Sequence, residues 1–382
     1  MSVLKKCGLF FAVICLAGFL WVCKTGGGND DGNGGENGGN GNGNNGQNES
    51  KWDLWSAAKT RLRGANIWLK KIDPALDGNV FLGSGTVGPP FNQSDFNRLA
   101  QLGANFVNIS HPGIFDQDPP YALNSAILNH LVQLVDMIGQ ADMFAVIAFR
   151  TGPGRSEYTF YWGEDTESDP EDGWFDKSYY NDKVWTDAAA QNAWVEMWKK
   201  TAEQFKDNKY VIGYDLMVEP NSNEVHLEIH DPEEFYAAYR DSLYDWNQFF
   251  PKIITGIRGI DQKTPILVGG LGYSAIEWLS SIQTVSDSKT VYMIHQYEPF
   301  VYTHQDSDGQ LGYPGNYDVD YDGNPDSFNK SWLTALLDRV DSFASTNAVR
   351  IGCNEYGVVR WIPNGAQYMD DHMEILESKH IN

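Results

Sequence analysis

Two glutamates offer the chain's most suggestive chemistry. Residues 211–221 form an apolar run that ends at a carboxylate, Glu219, followed by Pro220 and Asn221. Residues 349–357 form a second apolar run that closes on a lone carboxylate, Glu355. A pair of carboxylates is the equipment of a retaining glycosidase when the two groups face each other at about 5–5.5 Å. Glu355, ionised, would attack the anomeric carbon. Its charge would raise the pKa of Glu219, leaving that group protonated to serve the departing oxygen. Taken singly, each glutamate is more often the solvated end of a strand than a catalytic group, so the elements must bring them together.

Those elements alternate. Strands are expected at 62–68, 106–109, 143–149, 211–216, 266–269, 291–296 and 349–355. Helices are expected between and after them, at 94–102, 124–140, 187–205, 232–257, 275–282, 328–344 and 366–378. Ser94 is expected to cap the first helix, which stops at Gly103. Asp231 caps the fourth, with Pro232 at its first position. Repeated strand–helix units give a parallel sheet with helices outside it, and seven units favour a closed TM-type, that is TIM (β/α)8, barrel over an open sheet. The chain ends at Asn382, where an eighth strand would follow, so that strand is missing and the domain is read as C-terminally truncated. In such a barrel the loops after the strands share one rim, where Glu219 and Glu355 can meet.

Composition narrows the partners. A chain of 382 residues with 42% hydrophobic content can build one large core. A net charge of −23 argues against nucleic acid and anionic membranes. Thirteen tryptophans could include rings that stack on sugars. Trp162, Trp174 and Trp185 lie in or beside an acidic stretch after the third strand and are cleft candidates. His111, after the second strand, and Asn221, after Glu219, are candidates for substrate contact. The four cysteines show no disulfide framework or zinc spacing.

Further residues carry a family resemblance. Arg63-Gly64-Ala65-Asn66 falls on the first expected strand, Leu102-Gly103-Ala104-Asn105 before the second, Glu219-Pro220 on the fourth, His295-Gln296-Tyr297 on the sixth and Asn354-Glu355-Tyr356-Gly357 on the seventh. In this the chain resembles glycoside hydrolase family 5, from about Arg61 onward. The resemblance implies that Glu219 is the acid/base and Glu355 the nucleophile. It also implies that Tyr297 positions Glu355, and that His295 contacts the nucleophile or the sugar. Three positions depart from the family pattern. Val218 stands where Asn usually precedes the acid/base. Asn108 stands where a strand-two Arg is usual, and Arg150 near a strand-three His. Arg150 is expected to reach toward Glu355 in place of the missing guanidinium.

Two segments stand apart from the barrel. Residues 1–23 read as an export signal, with Lys5 and Lys6 before an apolar run, and Cys23 is a candidate lipidation site. Residues 24–50 read as a Gly/Asn-rich tether, leaving 51–382 for the barrel. Asp318, Asp320, Asp322 and Gly323 have the oxygen spacing of a calcium loop, but Asn329 stands where the bidentate Glu belongs, and a solvated acidic loop is the preferred reading. The expectation is therefore an exported or surface-tethered, monomeric glycoside hydrolase needing no cofactor or metal. It would cleave β-1,4-glucan or mannan. A non-catalytic carbohydrate-binding barrel and a β-glycosidase of other specificity are the alternatives.

Overall fold

The computed structural model describes residues 50–72, 82–157, 180–225 and 227–382. The expected signal, the tether, Cys23, Trp162 and Trp174 lie outside the described residues. Seven parallel strands form one sheet in sequence order: β1 (Gly64–Trp68), β2 (Phe106–His111), β3 (Phe144–Phe149), β4 (Val211–Asp215), β5 (Ile266–Gly269), β6 (Thr290–Gln296) and β7 (Arg350–Tyr356). Helices follow the strands: α1 (Gln93–Gln101), α2 (Ser125–Gln140), α3 (Ala188–Phe205), α4 (Pro232–Tyr239), α5 (Trp246–Arg258), α6 (Ile276–Leu279), α7 (Phe300–Thr303), α8 (Lys330–Asn347) and α9 (Gly365–Ser378). This is the TIM (β/α)8 form with seven strands among the described residues. Between β1 and β7 the seam holds Ile381 and Asn382. The Cys353 amide donates to the Asn382 carbonyl (2.7 Å), and Asn382 Oδ1 accepts from the Arg61 and Leu62 amides (2.7 and 3.1 Å).

Alternation along the strands separates two apolar cores. Val107, Ile109, Ile147 and Tyr292 face the helices. Phe106, Val146, Leu267, Val291 and Met293 face the barrel interior, where Leu54, Trp55 and Leu62 close the bottom. Trp55 is nearly fully buried and donates its indole N–H to the Ile212 carbonyl (3.0 Å). Gly352 on β7 makes space for it, since a Cβ there would meet Met293 Cε at 2.7 Å and the Trp55 ring at 3.0 Å. Above this plug the interior turns polar, with Asn66, Asn108, Asp215, His295 and Asn354 before the glutamates at the mouth.

Three local expectations are corrected. Asn92, not Ser94, caps α1, in a capping box with Asp95. The helix expected at 232–257 is two helices. Arg240 leaves the helical region, Asp241 takes a positive φ, and Asp245 starts α5 by accepting from the Asn247 amide (2.9 Å). The helix expected at 275–282 is only the single turn α6.

Candidate active site

The strand ends set the geometry. After β4 the chain turns through Leu216, whose carbonyl accepts from the indoles of Trp194 and Trp198 (3.1 and 2.9 Å). Val218 N donates to the Phe149 carbonyl of β3 (2.9 Å). Glu219 then adopts φ +52°, a left-handed conformation uncommon outside glycine. On β7 the pairing with β6 slips between Cys353 and Glu355, a bulge at Asn354. That bulge lets two successive side chains enter the barrel. Asn354 Nδ2 donates to Asp215 Oδ2 (2.7 Å), and Glu355 reaches the mouth beside His295.

Glu219, His295 and Glu355 form one buried cluster, and their facing atoms all lie within 4.8 Å of one another. His295 stands between the carboxylates, with Nδ1 3.0 Å from Glu219 Oε1 and 3.4 Å from Glu355 Oε2. The Tyr297 hydroxyl donates to Glu355 Oε2 (3.2 Å). Facing oxygens of the two carboxylates thus meet at the barrel mouth with His295 between them.

The electrostatics of the cluster centre on His295. Burial lowers the pKa of His295, but the charge of Glu355, the hydrogen bond to Glu219 and nearby Asp215 reverse this and raise it to about 9. His295 is therefore an imidazolium at neutral pH. Burial raises Glu219, yet the bond and charge of His295, with Arg150 and Arg155, outweigh it and hold Glu219 below the usual carboxylate range. Burial keeps Glu355 raised; the charge of Glu219 adds to this, and His295 only partly opposes it. The positive charges of His295 and Arg150 act on both glutamates, and that of Arg155 on Glu219. The cluster titrates as a unit rather than as three independent residues. Beneath it Asp215 is raised to about 7, by burial first and also by the charge of Glu355, against the opposing pull of His295 and Asn354.

Other expected site residues fall in varied places. Arg150 lies at the carboxylate cluster, with Nη1 3.9 Å from Glu219 Oε2 and Nε 2.7 Å from Glu157 Oε1, and its charge also acts on Glu355. Glu157 holds it there while also accepting from the Trp68 indole (3.1 Å). Asn108 sits inside the barrel, donating to Asn66 Oδ1 (3.3 Å). His111 is not in the cleft. It is fully buried, 2.7 Å from the Pro112 carbonyl and 3.0 Å from His130 Nδ1, because its strand position faces α2. Asn221 is fully buried behind Glu219, where Arg155 holds its Oδ1 at 3.4 Å, so it braces the loop instead of meeting substrate. Trp185 is also buried, edge-on to Trp246 and Phe249 in the outer core.

In the acidic loop, Asp326 rather than Asp322 joins Asp318 and Asp320. Asp322 Oδ1 instead accepts from the Asn324 amide (2.7 Å), which turns it into its own bend. The loop joins two short strands, Gly315–Tyr317 and Asp326–Phe328, that the sequence reading did not anticipate.

Three residues of the site were missed from sequence: Arg155, Glu157 and Asp215. Asp215 had a signal, a carboxylate inside an otherwise apolar strand. Arg155 closes the stretch 150–155 after the third strand, which read as a possible substrate loop or a simple turn rather than as a brace for Glu219, and Glu157 gave no signal, since its partners come from distant segments.

Comparison with known proteins agrees with this architecture. The family model described as Cellulase (glycosyl hydrolase family 5) matches residues 71–382. Endoglucanase C of Acetivibrio thermocellus is 23% identical over 225 residues, covering 52% of this chain and 60% of that protein. The chain thus spans about 60% of the length of that relative. Cellodextrinase A of Ruminococcus flavefaciens is 21% identical, covering 70% of this chain and 68% of that one. Among solved structures, a hyperthermophilic endo-β-1,4-glucanase in complex with substrate superposes with a TM-score of 0.60 at 17% identity, covering 87% of this chain and 90% of that one. An endoglucanase from Thermotoga maritima gives 0.58 at 18% identity, covering 87% and 91%. With the family model matching most of its length, the chain belongs to glycosyl hydrolase family 5.

Proposed function

We propose that this chain is an exported retaining glycoside hydrolase acting on β-1,4-linked glucan or mannan, with Glu355 as nucleophile and Glu219 as acid/base. The observation that carries this reading is the pair of buried carboxylates within 4.8 Å of each other at the barrel mouth. Endoglucanase names among the relatives support a glucan substrate. Glu355 Oε attacks the anomeric carbon as its bond to the leaving oxygen breaks, and that oxygen takes a proton from Glu219. A glycosyl ester on Glu355 results. Water then attacks the same carbon, Glu219 takes its proton, and the ester bond breaks.

His295 supplies what the resting electrostatics lack. Glu219 favours the ionised form, yet the first step needs a proton on it. The proton resides on His295 Nδ1 and passes along the 3.0 Å contact to Glu219 Oε1 as the leaving oxygen draws on Glu219; in the second step the proton that Glu219 takes from water returns along the same contact to His295. Tyr297 holds the Glu355 oxygen in line for attack.

The test is a pair of variants. Glu355→Gln should lose nearly all turnover of soluble β-glucan, because no nucleophile remains. Glu219→Gln should lose turnover of oligosaccharides by about 100-fold or more while retaining glycosylation by activated aryl glycosides, whose leaving groups need no proton. Turnover that survives Glu355→Gln would end the assignment. Binding of glucan by the wild type without sugar release would leave the carbohydrate-binding alternative.

A further inference from the structure

Arg155 is a fully buried guanidinium that the reaction scheme does not use. Its Nη1 donates to the carbonyls of Arg150 (2.9 Å) and Val218 (2.7 Å). Its Nη2 donates to the carbonyl of Glu219 (2.7 Å) and to Asn221 Oδ1 (3.4 Å). One planar fork thus grips the residue before Glu219, Glu219 itself and the residue two beyond. Its own backbone is anchored in turn, since the Arg155 amide and carbonyl both pair with Gly152 (2.9 and 3.0 Å). The gripped segment needs holding. Glu219 is a non-glycine residue at φ +52°, a conformation that persists only where the surroundings enforce it. Burying a cation is costly unless its donors are satisfied, and here the acceptors are the carbonyls that the strained turn exposes. A lysine would bring the charge but not the fork.

We propose that Arg155 is a positioning residue for the acid/base step: it fixes the left-handed turn at Glu219 and so holds that carboxyl against the leaving oxygen. The inference rests on the acid/base reading of Glu219 given above. A displacement of the carboxyl by about 1 Å is enough to cost about 100-fold in the step that uses it. The loss should therefore fall on proton donation and spare bond-breaking that needs no proton, a pattern that general loosening of the barrel would not produce.

The experiment compares kcat/KM for a cello-oligosaccharide and for 2,4-dinitrophenyl β-cellobioside in wild type, Arg155→Lys, Asn221→Ala and Glu219→Gln, with each protein's melting temperature measured alongside. Arg155→Lys is expected to lose about 100-fold on the oligosaccharide and to stay close to wild type on the aryl glycoside. Asn221→Ala, which removes the longest of the four contacts, should show a smaller loss in the same pattern, and serves as the deciding variant should Arg155→Lys not fold. Parallel losses on both substrates, or no loss on the oligosaccharide, would overturn the proposal. The Glu219→Gln control separates the two layers. If it shows no difference between substrates, the acid/base assignment itself fails and Arg155 falls with it. If it shows the split and folded Arg155→Lys does not, only the positioning role is wrong.

Discussion

At the residue scale the site is organised around His295, which lies between Glu219 and Glu355; against the lowering by burial, the charge of Glu355 and the bond to Glu219 raise its pKa to about 9. The basic limb of the kcat/KM profile reports loss of the essential proton from the free enzyme. A carboxylate pair alone would release its last proton at lower pH than an imidazolium held by two carboxylates. His295→Gln should therefore move the basic limb to lower pH, measured on an unactivated oligosaccharide. A limb that stays where it is would mean that the proton is not kept on His295. The two glutamates were legible in the sequence because each sits at or just past a strand's carboxyl end, where the barrel must present it, whereas His295 and Tyr297 were indicated only by the family resemblance. The relative acidity of the glutamates was not legible. It depends on where Arg150, Arg155 and His295 point, and those directions come from contacts across 64 to 76 residues for Glu219's backbone and side chain.

At the scale of elements, polar chemistry at the mouth rests on an apolar floor. Trp55 comes from a short turn, Asp53–Trp55, that precedes the first strand, yet it fills the barrel bottom with Leu62, Val146, Leu267 and Met293. Trp55→Ala should cost about 3–5 kcal/mol, since the floor is built from several rigid strands that cannot close on the void. Urea unfolding monitored by circular dichroism measures this directly. A loss below about 1 kcal/mol would show that the floor is held without Trp55. Sequence periodicity placed all seven strands within a few residues, because parallel strands buried on both faces read as apolar runs. It merged α4 and α5, because both helices carry apolar faces. The break depends on Asp245, whose two oxygens serve the Asn247 and Asp241 amides (both 2.9 Å). Pro251, the residue that would ordinarily signal a break, lies inside α5. The pair of short strands around the acidic loop escaped notice because three-residue strands leave too little pattern to see.

At the scale of the molecule, the parallel order of the strands brings residues 136 positions apart, Glu219 and Glu355, to one mouth. A net charge of −23 would repel phosphate-bearing polymers and would not repel the neutral glucan proposed as substrate. Among the described residues no helix is long and apolar enough to cross a membrane. The seam between β1 and β7 is bridged where Asn382 ties Cys353 to Arg61 and Leu62, so the strand bearing Glu355 is fixed relative to the first strand as well as to β6. The proposed retaining reaction depends on this whole arrangement, because it requires β4 and β7 to hold their carboxylates at attack distance. The most direct measurement is to incubate the protein with a 2-deoxy-2-fluoro-β-cellobioside bearing a good leaving group, digest it, and locate the added sugar by mass spectrometry. The account predicts one fluoroglycosyl group esterified to Glu355. Label on another residue, or steady glucan hydrolysis with inverted product and no label at all, would contradict it.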